Sequence, residues 1–207
     1  MNEYLNIALP KGRLSDSVFE LLKAAGFKIP KIENSRKLVI KDINNQFTYF
    51  FVKPTDVVTY VNRGVCDIGI TGKDILIESE KQVYELLDLN IGRCKMVLAG
   101  KDESLINKQG ELVIATKFPK IAEDYFKTKT QKVNIVKLNG SVELGPIVGL
   151  SDAIVDIYET GSTLRANGLQ VFEDMLDISA YLISNKASYR LKNQQIISLI
   201  ERLKAVV

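Results

Sequence analysis

Two hydrophobic rhythms alternate along this chain, and the alternation limits the possible folds more than any single residue does. "YLNIAL" at 4–9 reads as a buried strand, after which Leu14, Val18, Leu21, Leu22 and Ala25 recur at helical spacing until Gly26 stops the helix. "PKGR" is the loop between them. "KLVIK" and "FTYFFV" flank "DINNQ", a hairpin signal, and "PTDVVTYVNRG" is a short helix with Pro at its start and Gly at its end. "DIGIT" is a buried strand running into Gly72 and a further helical stretch. The signals then return in the same order: "ELVIAT", a helix from about Pro119 to Lys127, "VNIVKL", a helix from about Ser141 to Val148, and a strand through Ala153, Ile154, Val155 and Ile157. Such alternation predicts an α/β fold with mostly parallel sheets and helices on both faces.

The return has an echo in the residues. Aligning Asp67 on Asp152 pairs Val57 with Val142 and Gly64 with Gly149, and sets "GVCDIGI" against "GLSDAIV". Two readings stay open: a repeat of half-molecules, or the resemblance that helix–Gly–strand junctions share in any α/β protein. A repeat would divide the 207 residues into lobe I, 1–95 plus 180–207, and lobe II, 96–179, with a ligand cleft between them. "CKMVLAG" (94–100) and "EDMLDISAYLISN" (173–185) are then the strand-like crossings. The final helix, with Ile196, Ile197, Ile200 and Leu203 on one face, packs back on lobe I.

Composition narrows the chemistry. The chain has no histidine, which removes Ser-His-Asp and Cys-His catalysis, imidazole metal sites and the usual general base at neutral pH. Carboxylates, Arg, Lys, hydroxyls and backbone amides must do the work. A net charge of +3, with lysines scattered rather than striped with aromatics, argues against nucleic acid as a partner. Cys66 and Cys94 lack metal-ligand spacing and sit in apolar strand-like surroundings, so buried free thiols are expected. No apolar run is long enough for a membrane span and the N-terminus lacks the build of a signal peptide, so a cytoplasmic location without membrane contact is expected.

The candidate chemistry lies in two loops. In "VDIYETGSTL", Asp156 and Glu159 stand beside the hydroxyls and amides of Thr160, Gly161, Ser162 and Thr163, where the strand opens a helix. A bare phosphate would be repelled by those acids. A phosphorylated sugar, or a phosphate neutralised by Mg²⁺, would use both the donors and the carboxylates. The competing reading is a capped turn in which Thr160 or Ser162 bonds helix amides. In "LPKGRLSDS", Lys11 and Arg13 follow the first strand at the end where parallel sheets place ligands, and two cations there suit di- or triphosphate oxygens; solvated charges before a helix are the alternative. Arg36 and Arg63 are individually weaker candidates.

From Glu143 the sequence runs Glu, five residues, Gly149, Leu150, Ser151, two residues, Ile154, Val155, Asp156, Ile157, two residues, Thr160, Gly161, Ser162, Thr163, Leu164. This resembles the signature of the ATP phosphoribosyltransferase family, and "IALPKGRL", "SRKLV" and "VNRGVCDIGITGKDIL" extend the resemblance over nearly the whole chain. The resemblance implies a two-lobed fold like periplasmic binding proteins, with a central ligand cleft. It implies transfer of the 5-phosphoribosyl group from 5-phosphoribosyl-1-diphosphate (PRPP) to N1 of ATP, the first step of histidine biosynthesis. Carried over by position, Asp156, Glu159, Thr160, Gly161, Ser162, Thr163 and Leu164 would bind PRPP, with Glu143 near the same substrate. Lys11, Gly12, Arg13, Arg36 and Gly72 would serve ATP and the leaving diphosphate, and Arg13, Arg36 and Glu143 would be catalytic. Mg²⁺ would arrive on the substrate phosphates, without metal ligands from the protein. The resemblance is to the short form of the family, without a C-terminal regulatory domain. It implies a homodimer of the catalytic chain and a regulatory subunit similar to histidyl-tRNA synthetase in a hetero-octamer. A noncatalytic small-anion binding module of the same fold is the alternative.

Overall fold

A computed structural model describes residues 4–29, 37–104 and 110–207. The chain first lays down β1 (Leu5–Pro10), α1 (Arg13–Ala24), β2 (Val39–Asp42) and β3 (Phe47–Val52). A 3-10 turn (Pro54–Asp56) leads into α2 (Val57–Asn62), followed by β4 (Ile68–Gly72), α3 (Lys73–Ser79) and β5 (Tyr84–Asp88). Next come β6 (Cys94–Gly100), β7 (Leu112–Thr116), α4 (Pro119–Thr128), β8 (Val133–Lys137), α5 (Leu144–Val148), β9 (Ala153–Tyr158), α6 (Ser162–Ala166) and β10 (Gln170–Ile178). The chain closes with β11 (Ala180–Ser184), α7 (Lys186–Leu191) and α8 (Asn193–Lys204). Two units result: Met1–Gly92 with Ser179–Val207, and Arg93–Ile178.

The first unit is built on a sheet ordered β2-β3-β1-β4-β11-β5, the second on one ordered β10-β6-β9-β7-β8. Reversing the second order matches β8-β7-β9-β6-β10 to β3-β1-β4-β11-β5, strand for strand. The directions match too. β1 runs parallel to β3 and β4 while β11 is antiparallel to β4 and β5; β7 runs parallel to β8 and β9 while β6 is antiparallel to β9 and β10. The two units therefore share one topology, and the echo between "GVCDIGI" and "GLSDAIV" is the trace of it.

The echoed residues do the same work in each unit. Asp67, just before β4, accepts from the Asn6 amide of β1 at 2.8 Å, and its own amide donates to Asn6 O at 2.9 Å. Asp152, just before β9, accepts from the Val113 amide of β7 at 2.8 Å and donates to Val113 O at 2.8 Å. Gly64 and Gly149 both follow a short helix with φ near +75°, at 73° and 76°, a conformation that glycine adopts without a Cβ penalty. Val57 and Val142 are both buried.

Five expectations need correction. The sheets are mixed rather than mostly parallel, because β5, β6, β10 and β11 all join antiparallel, as does the β2–β3 hairpin. Residues 173–185 are not one strand: β10 belongs to the second sheet, β11 to the first, and they part at Ser179. Ser141 takes φ 49°, so the helix expected from Ser141 begins only at Leu144. On α8 the buried set is Ile196, Leu199 and Leu203, with Ile200 partly covered, whereas Ile197 is 37% exposed because it points a quarter-turn off that stripe. Cys66 is buried as expected, but Cys94, which opens β6, is only partly covered; the two are not joined by a disulfide.

The first core gathers Leu5, Ile7 and Leu9 of β1 with Val18 and Leu22 of α1 and the three buried residues of α8. Burying those three α8 side chains contributes roughly 5–9 kcal/mol, so packing holds the returning segment in place. A largely buried ion pair adds register. Lys192 Nζ, between α7 and α8, lies 2.8 Å from Asp67 Oδ2 and donates to Tyr4 O at 3.0 Å. Asn185 caps α7 through Ala187 N and Ser188 N while its amide donates to Val61 O and Asn62 O at the end of α2. Replacing Lys192 by Met should leave the Asp67 carboxylate without its counter-ion and destabilise the chain by about 3–5 kcal/mol, read as a lower urea midpoint with unchanged m-value. A midpoint equal to the parent's would show that the pair is immaterial.

Candidate active site

The strand ends that the topology repeats are where the candidate residues gather. In the second unit, Ile154, Asp156 and Tyr158 alternate onto one face of β9. The same face carries Val97 and Ala99 of β6, Ala115 of β7, Val142, and Leu164 of α6 as its buried apolar floor. Asp156 is where that floor meets the rim. It sits opposite Val97, and its neighbour Val155 is in register with Thr116. Thr116 Oγ1 donates to Val155 O at 2.6 Å and accepts from Phe118 N at 2.9 Å, which fixes the end of β7 beside it.

The loop after β9 folds over this rim. Gly161 has φ 70°, and a Cβ there would lie 2.5–2.7 Å from the Tyr158 ring, so a side chain is excluded both by conformation and by space. Thr160, Ser162 and Thr163 remain exposed while Leu164 anchors the loop in the core. Arg165 closes it by donating to Thr160 O at 2.9 Å. The capped-turn reading keeps a foothold in this loop: the Thr160 hydroxyl accepts from the Ser162 amide at 3.5 Å and lies 3.1 Å from the Ser162 hydroxyl, although α6 has no side-chain cap at Gly161 itself. The Thr160, Ser162 and Thr163 side chains remain exposed.

In the first unit, Lys11 and Gly12 follow β1 and are exposed, and Arg13 opens α1. Gly12 takes φ 103° with open space where a Cβ would stand. Ser15 holds this loop, its hydroxyl lying 2.6 Å from Pro10 O and 2.9 Å from Gly12 O, and Lys11 N donates to Val52 O of β3 at 2.9 Å. Gly72 ends β4 and precedes α3; a Cβ there would meet Asp74 Oδ1 at 2.1 Å. Arg36 lies outside the described residues. Lys11, Gly12, Arg13 and Gly72 thus share the C-terminal ends of β1 and β4, and Asp156 to Leu164 share that of β9. Glu143 reaches the second group from the start of α5. Lys117, which the sequence did not single out, follows the end of β7, and its charge is felt at Asp156.

Burial pushes the Asp156 carboxyl up to about 6, with the negative charge of Glu143 adding to the rise and the Ile157 amide and Lys117 ammonium opposing it. An acid whose folded value lies above its unfolded one favours the fold at low pH and loses that contribution as pH rises through the folded value. Asp156 is therefore a charge that the fold carries at a cost above about pH 6. Replacing it by Asn should raise stability at pH 8 by about 2–3 kcal/mol and leave stability at pH 4 nearly unchanged, as measured by denaturant unfolding at both values. Equal effects at the two pH values would contradict the assignment.

Among the described residues no group of three or more Cys, Asp or Glu could hold a metal ion. No helix among them is long and apolar enough to cross a membrane.

Comparison with known proteins places this geometry in a family. The family model for ATP phosphoribosyltransferase matches residues 53–205. A protein of Clostridioides difficile (strain 630) named ATP phosphoribosyltransferase is 54% identical over 199 residues, 96% of each chain. One of the same name from Thermoanaerobacter sp. (strain X514) is 54% identical over 210 residues, 99% of this chain and 97% of its own. A solved ATP phosphoribosyl transferase (HisG:HisZ) complex from Thermotoga maritima contains a chain 39% identical, with 98% of both chains covered and a TM-score of 0.83. The substrate binding protein of an amino acid ABC transporter, at 14% identity and TM-score 0.59, shares the fold alone, which is the periplasmic-binding-protein type that the resemblance implied. With two shared-topology units, an acid-and-hydroxyl loop after β9 and relatives of this identity along nearly its whole length, the chain belongs to the ATP phosphoribosyltransferase family.

Proposed function

We propose that the chain transfers the 5-phosphoribosyl group of PRPP to N1 of ATP, releasing diphosphate, in the first step of L-histidine biosynthesis. The observation that carries the reading is the end of β9, where the part-buried Asp156, which feels the charge of Glu143, leads into a loop with the exposed hydroxyls of Thr160, Ser162 and Thr163. A ligand with a phosphate next to sugar hydroxyls uses both sets. The loop from Glu159 to Leu164 takes the 5-phosphate, and the Asp156 carboxylate accepts from the ribose hydroxyls. Lys11, Gly12, Arg13, Arg36 and Gly72 serve ATP and the departing diphosphate.

The N1 lone pair of adenine attacks ribose C1 as the bond from C1 to the diphosphate oxygen breaks, and the bonding pair leaves with the diphosphate. Positive charge grows on the ribose and negative charge on the leaving group. Carboxylates at one substrate and cations at the other answer that separation. The nucleophile is a substrate nitrogen, so a histidine-free chain lacks nothing the bond exchange needs. Mg²⁺ accompanies the substrate phosphates and neutralises part of their charge. The chain works in the cytoplasm as a homodimer, joined in a hetero-octamer by a regulatory subunit similar to histidyl-tRNA synthetase. The two-component complex of the Thermotoga maritima relative supports that assembly.

An assay with ATP, PRPP and Mg²⁺ tests the reading through the absorbance of phosphoribosyl-ATP. Binding without product would instead favour a noncatalytic small-anion module. Within the loop, Thr163→Val should raise the KM for PRPP roughly 10- to 150-fold with the fold retained, the loss of one charge-assisted hydrogen bond. Gly161→Ala should do likewise by driving the loop off Tyr158. Unchanged PRPP kinetics in both would remove the loop from the site. Arg13→Ala and Arg36→Ala should lower kcat, because a cation facing the leaving diphosphate contributes most as its charge develops. Lys should be an incomplete substitute for a bidentate Arg. Full turnover by both alanine variants would make them ordinary surface charges.

A further inference from the structure

We propose that the Asn139–Gly140 pair is a spontaneous modification site, where the chain loses ammonia and acquires an isoaspartyl link in the lead-in to Glu143. Two neighbouring groups set the chemistry. The backbone nitrogen of Gly140 attacks the side-chain carbonyl carbon of Asn139, a new N–C bond closes a five-membered succinimide, and the bond to the side-chain nitrogen breaks with release of ammonia. Water then opens the ring. Cleavage at the side-chain carbonyl gives aspartate, and cleavage at the backbone carbonyl gives isoaspartate, in which the main chain runs through the side-chain methylene. Nothing is oxidised or reduced, and one water replaces one ammonia. Glycine favours the closure because it has no Cβ to crowd the ring.

The sequence holds this pair twice, at 139–140 and at 167–168, and both are exposed. Hydrogen bonding separates them. Asn167 and Gly168 close α6: Asn167 Nδ2 donates to Thr163 O at 2.9 Å, and Gly168 N donates to Arg165 O at 3.2 Å with φ at 66°. Leu169, which follows, is buried and donates from its amide to Leu164 O at 2.9 Å. Ring closure there requires Gly168 N to leave its acceptor and the Asn167 amide to swing off the helix end. Asn139 and Gly140 lie instead in a bend between β8 and α5. Among the described residues no hydrogen bond holds the Asn139 side chain or Gly140 N. A Cβ built at Gly140 would meet nothing within 4 Å, so the ring has room to form.

The bend is held at both ends. Leu138 N donates to Thr116 O at 2.9 Å, and Leu138 packs against the cluster in which Val142 is buried together with Leu164, the anchor of the loop after β9. Residues 139–141 span those fixed ends, and Ser141 already takes φ 49°. An isoaspartyl link adds a methylene to that span and a carboxylate beside it. The extra length falls on Val142 and on Glu143, the next residue along. This consequence rests on the phosphoribosyl-transfer reading: if Glu143 and the loop that Leu164 anchors hold PRPP, the modified chain uses PRPP less well.

The test incubates the full-length chain in warm, mildly alkaline buffer and follows both peptides by mass spectrometry. A methyltransferase specific for isoaspartyl carboxyls is the probe of the new link. The peptide containing Asn139 should gain one mass unit and accept methyl groups. The peptide containing Asn167 should lag roughly tenfold, the cost of opening its two hydrogen bonds. In urea that protection is lost and the two should react at similar rates. Equal rates in the folded chain, or an unreacted Asn139, overturn the site. Gly140→Ala is the second arm, since Gly140 has no positive φ and has space for a Cβ. That variant should keep its PRPP kinetics through the incubation, while the parent's KM for PRPP rises severalfold in step with isoaspartate. Full PRPP kinetics in a parent converted at position 139 overturn the link to Glu143. Absence of phosphoribosyl-ATP from the unincubated parent would remove the reaction reading and the consequence for PRPP, and the mass measurements then decide the site by themselves.

Discussion

The chain depends on one contact made twice: an aspartate that ends a glycine turn and clamps the neighbouring parallel strand. Asp67 on Asn6 and Asp152 on Val113 each exchange two backbone-directed hydrogen bonds at the N-terminal ends of their strands. Register in a parallel pair slips easily when both faces are apolar, because the hydrophobic pattern alone does not distinguish a shift by two residues. A carboxylate with a fixed partner does. Once β4 is pinned to β1 and β9 to β7, the opposite ends of the same strands are also fixed, and those ends carry "PKGR", Gly72, Asp156 and the hydroxyl loop. In the first unit the clamp is tied further by Lys192, which pairs with Asp67 and donates to Tyr4 O just before β1, so the returning C-terminal segment holds both strands of the clamp.

A shared topology then carries different chemistry in each unit. The first presents Lys11 and Arg13 after β1; the second presents acids and hydroxyls after β9. In the second unit burial works against ionisation of Asp156, so the fold carries that charge at a cost, whereas Asp67 in the first unit has the Lys192 ammonium 2.8 Å away.

Much of this was legible in the sequence, and the reasons are local. β1, α1, β4 and α4 follow from apolar spacing and from Gly26, Gly72 and Pro119, because each signal acts within a few residues. The echo around Asp67 and Asp152 was visible as identities, yet a junction of helix, glycine and strand has the same look without a repeat; only strand order and the paired clamps decide it. Strand direction was the weak point. β6, β10 and β11 read correctly as strands, but nothing in an apolar run says whether its neighbour runs with it or against it. β5 escaped notice because "YELLD" alternates poorly and two of its five residues are exposed, with none fully buried. The loop from Glu159 to Leu164 was readable because Gly161 and the three hydroxyls around it are a dense local signal, whereas Lys117 was not, because its charge matters only to a carboxyl on another strand.

The lack of histidine ties these features together. An imidazole near neutrality would accept or release a proton at the rim and would make an adjustable base; this chain has instead a carboxyl whose burial brings it to about 6, into the range where imidazole titrates. The two are not equivalent. Protonated imidazole is a cation and would repel the positive charge growing on a ribose, while a carboxyl is either neutral or negative and never opposes it. For a reaction whose nucleophile needs no activation, the useful group is one that stabilises positive charge without competing for the proton of the attacking nitrogen. A half-buried aspartate has that chemistry, and the stability it costs above about pH 6 measures how far burial has set it apart from a solvated acid.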